Sequence, residues 1–253
     1  SRCRFSRLFA RNRKNQIAMK EEHYIGSELE IFAKAEKWKK YFSRFISPHL
    51  GADVLEVGAG IGATTEILCQ DSHTSWLCLE PDGELLAEVD EKIDAGKLPA
   101  FCKTQQGLVA DLGENTHFDA IIYIDVLEHV ENDAQELAQA SEHLKPGGKL
   151  LVLSPAYESL YSPFDKAIGH FRRYDKVSLS ALTPPNCKIE KMIYLDAVGV
   201  ALSFGNRLLL RQSTPSDEQI QFWDKRVIPI SRVIDRIIGY NAGRSIIGIW
   251  QKK

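Results

Sequence analysis

Closely spaced glycines follow a short apolar segment near position 55. The segment Val54–Val57 leads into Gly58, Gly60 and Gly62, and a helical pattern begins at Thr64. Glycine lets the backbone turn tightly and approach a ligand without a Cβ clash. The N-terminus of a helix offers unpaired N–H groups and a partial positive charge. The pattern therefore predicts a strand–turn–helix unit that holds an anionic or nucleotide-like ligand, with a purely structural turn as the alternative.

Glu80 ends a second apolar segment, Ser75–Leu79, 22 positions after Gly58. A carboxylate at that place can accept hydrogen bonds from both hydroxyls of a ribose. The spacing of Gly58, Gly60 and Ala63 also satisfies the G-x-G-x-x-A dinucleotide pattern. These residues favour an adenosine compound as the ligand, and they leave open whether it is NAD or another one.

Strands and helices alternate across the central part of the chain. Apolar strand patterns lie at 53–57, 75–79, 101–104, 118–124 and 149–153, with helical patterns at 64–70, 84–93 and 133–144 between them. Such apolar strands are typical of a parallel sheet that helices cover on both faces. An amphipathic helix at 27–47 precedes this region, and two further strands at 187–195 and 245–250 follow it. We therefore predict a doubly wound α/β fold.

The segments around this core are expected to extend it. Residues 1–18 contain six of the 32 basic residues and no acidic one, so we interpret them as a disordered arm or one foreign to the natural protein, with a targeting segment as the alternative. Residues 19–253 then form one domain, with 50–155 as its ligand-binding core. Because 156–176 lacks a regular period and 196–243 is too long for a turn, we expect both to cap the functional edge of the sheet.

Four motifs occur in a characteristic order: VLEVGAGIG at 54–62, LEPD at 79–82, FDAIIYIDVLEHV at 118–130 and LKPGGKLLVLSP at 144–155. With these motifs the sequence resembles the class I S-adenosylmethionine-dependent methyltransferases, in the branch similar to the ubiquinone and small-molecule O-methyltransferases. The resemblance covers about residues 50–155. It implies a mostly parallel seven-stranded sheet, S-adenosyl-L-methionine as the cofactor, and a small-molecule acceptor that is methylated on a hydroxyl.

The resemblance also assigns cofactor-binding roles to individual residues. It implies that Glu56 and the three glycines at 58, 60 and 62 line the methionine and ribose part of the cofactor, and that Glu80 holds the ribose hydroxyls. Asp111 matches the position whose carboxylate meets the adenine amino group, and Leu112 would pack on the ring. Asp125 would face the methionine end.

Transfer to a hydroxyl also requires a base, and two histidines are candidates for it. His129 lies in the segment 127–130 at the carboxyl edge of the predicted sheet, and His170 lies in the irregular segment after the fifth strand. Either one could instead be a structural anchor. Some relatives bind a divalent metal near the pair Glu128–His129, but because no further ligand clusters with them in the sequence, we expect no metal.

Aromatic and charged side chains crowd the segment after the fifth strand: Tyr161, Asp165, His170, Arg172, Arg173 and Tyr174. Arginine can hold a phosphate or carboxylate through two parallel hydrogen bonds. We therefore predict substrate contacts from Tyr161, Arg172, Arg173 and Tyr174. The alternative is that the arginines pair with acidic residues and fix the cap to the core.

Charge and composition limit the partners. Beyond residue 18 the chain carries 26 basic and 34 acidic side chains, which disfavours nucleic acid as a partner. The five cysteines form no C-x-x-C pair, which favours a cytoplasmic protein with reduced thiols. No apolar segment is long enough to span a bilayer. Apolar residues in 227–238 share one helical face, which predicts core packing first and a dimer surface or peripheral lipid contact second.

Two other functions stay open at this point. One is an NAD(P)-dependent oxidoreductase, although no Tyr-x-x-x-Lys proton donor is present. The other is a protein that binds an adenosyl ligand without catalysis. The acceptor, the methylated atom and the oligomeric state are not predicted by the sequence.

Overall fold

The computed structural model describes residue 29, residues 32–209 and residues 216–253. The basic arm at 1–18 lies outside the described residues, as does the first part of the helix predicted at 27–47. Helix α1 spans Glu36–Ile46 and is separated from the turn before it by Ala35, which is not helical. Its N-terminus is capped by a residue far away in the sequence: Asp224 accepts hydrogen bonds from the N–H groups of Lys37 and Trp38.

The remaining elements alternate as the pattern predicts. The strands are β1 (Asp53–Val57), β2 (Ser75–Glu80), β3 (Cys102–Gln106), β4 (Phe118–Ile124), β5 (Leu144–Pro155), β6 (Cys187–Leu195) and β7 (Ser245–Lys252). The further α-helices are α2 (Thr65–Leu68), α3 (Gly83–Asp94), α4 (Asp133–Glu142), α5 (Pro163–Ala167), α6 (Lys176–Ala181), α7 (Ala197–Leu209), α8 (Asp217–Phe222) and α9 (Ile228–Ile237). Short 3₁₀ turns lie at 47–49, 109–111, 127–129 and 158–160, and a π-helical turn, Trp223–Val227, joins α8 to α9.

The seven strands form one sheet in the order β3-β2-β1-β4-β5-β7-β6. Strands β1 to β5 are parallel, whereas β7 runs antiparallel to both β5 and β6. The order reverses between β1 and β4, and ligands of open α/β sheets bind in the crevice at such a point. The predicted doubly wound, mostly parallel seven-stranded sheet is confirmed.

Strand β5 is longer than the pattern at 149–153 predicts. Leu144 already pairs with Phe118, and the register then shifts before Lys149 pairs with Ala120. Residues 145–148, with one proline and two glycines, therefore form an irregularity within the strand. Gly148 is required there, because a Cβ at this position would lie 2.9 Å from the carbonyl oxygen of Lys145.

Two apolar layers pack on opposite faces of the sheet. On one face, buried strand residues such as Val54 and Ile122 pack with α1, the π-helical turn and α9. On the other, Leu55 and Tyr123 pack with α4 and the Trp250 ring. Alternate residues of β1 and β4 thus serve opposite layers, as the period of a strand requires. Among the described residues, no helix is both long and apolar enough to cross a membrane.

The described part of the segment 196–243 is mostly helical, and two aspartates anchor it. Asp235 accepts hydrogen bonds from the N–H groups of Asp196 and Ala197 and from the Tyr41 hydroxyl. Asp196 in turn accepts from the Trp223 indole at 2.8 Å and from the Ser231 hydroxyl. These bonds join α9, α1 and the end of β6 into one unit beside the carboxyl edge of the sheet.

Candidate functional site

A cavity of about 1590 Å³ opens at the carboxyl ends of the parallel strands. It is lined by the loops that follow β1 to β5, and by parts of α1, the π-helical turn and the residues before β7. Pockets for one small ligand are usually roughly 300–1000 Å³. The cavity is therefore large enough to hold a cofactor and an acceptor together.

The glycine loop after β1 forms one end of this cavity. Gly58 has φ +69° and donates its N–H to the carbonyl of Leu79 at 2.7 Å. A Cβ on Gly58 would lie 2.5 Å from a methyl group of Val126, so glycine is required by both backbone and space. Gly60 lines the cavity, but Gly62 does not. Gly62 instead lets α3 pack closely, since a Cβ there would lie 3.2 Å from Val89.

Glu80 lies at the end of β2, directly beside the glycine loop. Its two carboxylate oxygens accept hydrogen bonds from the N–H groups of Gly60 (2.9 Å) and Asp82 (3.1 Å). Burial raises the pKa of Glu80 above its ordinary value, and these two bonds oppose the rise. Each oxygen keeps one lone pair for a further donor. The carboxylate is thus oriented at the cavity wall in a form that can accept two ribose hydroxyls.

Glu56 does not line the cavity, in contrast to the role that the resemblance implied. It is buried under the glycine loop, where its Oε2 accepts hydrogen bonds from Thr65 Oγ1 (2.7 Å) and Trp76 Nε1 (2.9 Å). Burial raises the pKa of Glu56 to about 7, although both hydrogen bonds oppose the rise. Glu56 therefore fixes the start of α2 relative to β2.

Asp111 and Leu112 also lie outside the cavity. The Asp111 carboxylate accepts the N–H of Leu108 at 2.9 Å and so closes its own 3₁₀ turn, while Leu112 is buried in the core. The cavity wall after β3 is formed by Gln106, Gly107 and Leu108 instead. An adenine ring would have to contact these residues, and sequence reasoning missed them.

Asp125 follows β4 and faces the cavity, as the resemblance implied. Its φ of 54° is left-handed, and its N–H donates to the carbonyl of Leu153 at 2.8 Å. The side chain is open to the cavity, but protein surrounds it on the other sides. Enclosure raises the pKa of Asp125 to about 6, although the nearby basic side chains of His170, Arg244 and Arg173 oppose the rise. Above that pH a negative charge lies between the glycine loop and His170.

His170 is held by a buried aspartate. Its Nδ1 lies 2.9 Å from Asp165 Oδ1, and Arg173 binds the same carboxylate with two nitrogens. Burial opposes ionisation of Asp165, yet the bond from His170 and the charge of Arg173 keep its pKa below the ordinary value. An ionised Asp165 requires a proton on Nδ1, so Nε2 of a neutral His170 carries the lone pair. His170 lines the cavity.

Glu128 and His129 complete a group of three donors with His170. Each residue offers one ligand atom, and the three atoms lie within 4.8 Å of one another. The two imidazole rings are 4.5 Å apart, and Glu128 Oε1 lies 3.8 Å from His170 Nε2. Oε2 of Glu128 accepts from Ser154, whereas Oε1 is buried with no hydrogen-bond partner in the described part of the chain. Burial lowers the pKa of His129 to about 3, so its ring is neutral.

This third donor corrects one step of the sequence argument. A metal was not expected because no further ligand clustered with Glu128 and His129. The structure brings His170 to them, although 40 positions of the chain lie between His129 and His170. Two imidazoles and one carboxylate are a donor set that suits Zn²⁺, Mn²⁺ or Fe²⁺, and an orphaned buried oxygen is what a missing cation would explain.

Three of the four predicted substrate residues serve structural contacts. Arg172 pairs with Asp133 at 2.7 Å, and the Tyr174 hydroxyl donates to the same carboxylate at 2.8 Å. The Tyr161 hydroxyl donates to the backbone carbonyl of His170 at 2.6 Å. None of the three lines the large cavity. Arg173 does line the cavity, and its guanidinium forms an ion pair with Asp165. Both arginines therefore pair with acidic residues, as the alternative interpretation predicted.

Four further cavity residues were missed in the sequence: Trp38 and Lys39 of α1, Trp223 of the π-helical turn, and Arg244 before β7. Trp38 and Lys39 lie in a predicted amphipathic helix, where nothing in the local pattern distinguishes them from other residues of the helix. Trp223 and Arg244 come from opposite ends of an interval with no recognisable motif. Only the fold brings them to one wall.

Comparisons with known proteins agree on the core. Residues 55–150 match the family model described as a methyltransferase domain. The chain is 32% identical over 113 residues to the ubiquinone biosynthesis O-methyltransferase of Xylella fastidiosa (strain 9a5c), a match that covers 44% of this chain and 45% of that protein. It is 25% identical over 114 residues to the mitochondrial ubiquinone biosynthesis O-methyltransferase of Dictyostelium discoideum, over 42% of this chain and 36% of that protein. The chain thus matches less than half the length of these curated relatives.

Solved structures share the fold over most of the chain. Coclaurine N-methyltransferase, bound to N-methylheliamine and SAH, superposes with a TM-score of 0.57 at 14% identity, over 85% of this chain and 72% of that one. The [4+2]-cyclase SpnF superposes with a TM-score of 0.56 at 14% identity, over 84% and 80% of the two chains. At such identities the likeness concerns the fold, and one fold supports several chemistries.

Proposed function

We propose that this protein, whose core is a class I S-adenosylmethionine-dependent methyltransferase domain, transfers a methyl group to a hydroxyl of a small molecule. One observation carries the proposal. A single cavity connects the glycine loop and Glu80 at one end with the His170–Asp165 pair at the other. The proposed cofactor site and the proton acceptor therefore open on the same cavity. The chain's match to O-methyltransferases supports the hydroxyl as the acceptor group.

The cofactor half is assigned from the geometry of the first three loops. Glu80 holds the ribose hydroxyls, and Gly58 and Gly60 allow the backbone to approach the ligand. The residues 106–108 contact the adenine ring, in place of Asp111 and Leu112. Asp125 faces the ammonium group of the methionine end. When bound, S-adenosylmethionine supplies an activated methyl group, whose carbon–sulfur bond breaks as the new carbon–oxygen bond forms.

His170 is the preferred base for the acceptor hydroxyl. Asp165 keeps the proton on Nδ1, so Nε2, which lies 3.8 Å from Glu128 Oε1, carries the lone pair that would accept the hydroxyl proton. His129 is the weaker candidate, because burial lowers its pKa to about 3 and a base that weak takes up a proton poorly at neutral pH. Most of the remaining rate enhancement comes from holding the acceptor in line with the methyl group and excluding water.

A divalent cation is a second mode of activating the same hydroxyl. Glu128, His129 and His170 would hold it, and the unpartnered Glu128 Oε1 is the observation in its favour. A bound cation would lower the pKa of the hydroxyl as a Lewis acid. In that mode His170 serves as a ligand rather than as the base.

Cofactor binding tests the first half of the proposal. Titration calorimetry with S-adenosylhomocysteine should show binding, and NAD should show none. Glu80→Ala should weaken the binding at least tenfold, since each charge-assisted hydrogen bond contributes roughly 1.5–3 kcal/mol. Glu88→Ala removes an exposed carboxylate from α3 and should leave the affinity unchanged. Binding of NAD without any response to the adenosyl compound would overturn the proposal in favour of an oxidoreductase.

Turnover tests the second half. Methyl transfer from labelled S-adenosylmethionine should be measured on a panel of catechols, phenols and alcohols, with and without EDTA. If His170 is the base, His170→Ala lowers kcat by about 10²–10⁴, and EDTA has no effect. If a cation activates the hydroxyl, EDTA abolishes turnover and added Mn²⁺ or Zn²⁺ restores it. Cofactor binding without transfer to any member of the panel would favour a non-catalytic binding protein.

We further propose that the protein works in a reducing compartment such as the cytoplasm. Cys69, Cys78, Cys102 and Cys187 are all buried and unpaired. Modification of these thiols in the denatured protein, with and without prior reduction, tests this point. Equal labelling in both samples is expected, and labelling that requires reduction would contradict it.

A further inference from the structure

We infer that the acceptor carries an anionic group, a carboxylate or a phosphate, and that Arg244 binds it. The inference rests on the proposed function, and it narrows the acceptor to a hydroxyl compound with a negatively charged group. The observation is a guanidinium at the cavity wall that has no carboxylate within 4.0 Å among the described residues. Sequence reasoning and the family match do not include this residue.

The backbone and the side chain of Arg244 are both fixed in place. Its N–H donates to the carbonyl of Asp196 at 3.0 Å, and its carbonyl accepts the N–H of Ala156 at 2.7 Å. Its guanidinium lies 5.5 Å from the centre of the Trp223 ring. Trp223 is itself held by Asp196 and packs against Trp38 at 5.6 Å. Arg244 thus enters the cavity from a rigid support, as a recognition residue must.

The guanidinium of Arg244 forms no ion pair and no hydrogen bond within the described part of the chain. No carboxylate oxygen there lies within 4.0 Å of its nitrogens, and no hydrogen bond engages them. Asp196 is the acid with the strongest electrostatic effect on it, but both Asp196 oxygens are taken by Trp223, Ser231 and the N–H of Gly199. The neighbouring Arg173 differs, since Asp165 binds it at 2.8 Å.

An enclosed cation without a partner is unfavourable, and a ligand anion would compensate it. Enclosure by protein lowers the pKa of Arg244, yet a guanidinium stays protonated in proteins. The planar fork of donors matches two oxygens of a carboxylate or phosphate. The residue is therefore suited to bind an oxyanion that enters the cavity with the acceptor.

Arg244 lies at a distance from the glycine loop and Glu80, the end of the cavity assigned to the cofactor. In the sheet order, β7 lies three strands from β1, which carries the glycine loop. Neighbouring strands are about 4.8 Å apart, so the start of β7 is roughly 14 Å from the end of β1. His170 and Asp125 lie between these ends of the cavity. An acceptor whose hydroxyl reaches His170 can place its charged group at Arg244.

Matched pairs of charged and neutral probes test the inference on the protein loaded with S-adenosylhomocysteine. One pair is 3,4-dihydroxybenzoate and 3,4-dihydroxybenzamide, and the other is phenyl phosphate and phenol. We expect the anion of at least one pair to bind at least tenfold more tightly than its neutral partner. The pair that shows the preference identifies carboxylate or phosphate as the recognised group. Arg244→Gln should reduce the preference to about twofold, and Arg244→Lys should keep part of it.

Arg236→Gln is the control, because it removes an exposed arginine from α9 and should keep the full preference. Affinity for S-adenosylhomocysteine is measured on every variant, which separates the inference from the proposed function. Failure of the wild-type protein to bind that compound overturns the proposed function. A normal affinity with no charge preference in either pair, or with a preference that survives in Arg244→Gln, overturns the inference alone. A tenfold loss of cofactor affinity in Arg244→Gln also overturns it, since the residue would then serve the cofactor.

Discussion

Replacing Glu56 by Gln should change how stability depends on pH, and the size of the change follows from its burial. Burial raises the pKa of Glu56 from 4.5 to about 7 in the folded protein. A carboxyl whose pKa is raised by folding favours the folded state while it is protonated. That contribution is complete below the unfolded pKa and is lost as the pH rises from about 4.5 to about 7. The contribution of Glu56 to the free energy of unfolding falls by about 3 kcal/mol in total, of which about 2–3 kcal/mol is lost between pH 5 and pH 8.

Urea unfolding of the ligand-free protein at pH 5 and pH 8 measures this effect. Gln keeps an oxygen that can accept from Thr65 and Trp76, but it carries no charge at either pH. The unfolding free energy of the wild type should therefore fall more between the two pH values than that of Glu56→Gln, by about 2–3 kcal/mol. Any fixed cost of burying the new amide is the same at both pH values and cancels from the comparison.

Glu88→Gln serves as the matched control, since Glu88 is exposed on α3. Its pH response should equal that of the wild type within about 0.5 kcal/mol. Equal pH responses of the wild type and Glu56→Gln would refute the reasoning. Glu56 would then be ionised in the folded protein as easily as in the unfolded one, and the two hydrogen bonds would outweigh its burial.

Three further predictions concern the site and its surroundings. Asp165→Asn should lower kcat about 10²–10⁴-fold, because His170 loses the acid that orients it, and should lower the unfolding free energy by about 3–5 kcal/mol, because Arg173 loses its partner. A kcat and a urea unfolding curve equal to those of the wild type would contradict this. Gly58→Ala should destabilise the fold by at least about 2 kcal/mol more than Gly96→Ala, since both have positive φ but only Gly58 meets a neighbour; equal thermal shifts would count against it. If the exposed face of α9 contacts lipid, the wild type should sediment with anionic vesicles and the paired change Val233→Asp with Ile237→Asp should abolish this; a wild type that does not sediment would contradict lipid contact.

The predicted site residues that the structure does place at the cavity are encoded in contiguous sequence. The glycine loop and Glu80 belong to strand–turn–helix units whose backbone geometry follows from local residue types. Gly58 needs a positive φ, and Glu80 ends an apolar strand, so both could be recognised from their neighbours alone. The alternation of such units also predicts that these strands are parallel.

The site predictions that the structure contradicts depend on contacts that the local sequence does not show. Arg172 forms an ion pair with Asp133, about forty positions earlier in the chain, and the Tyr174 hydroxyl donates to the same carboxylate. No local pattern shows these contacts. Asp111 has the expected residue type, but its carboxylate is used by the backbone of its own turn. His170 joins Glu128 and His129 only because the segment after β5 folds back over the end of β4.

The placement of β7 has a consequence for the order of synthesis. Strand β6 pairs only with β7, and β7 lies between β6 and β5 in the sheet. During translation β6 emerges before β7, so it has no strand to join until residues 245–252 have been made. Strands β1 to β5 meet no such delay, because their partners are all available earlier. The half of the protein with the glycine loop can therefore assemble while the ribosome is still adding the other half, and the wall that carries Arg244 closes last.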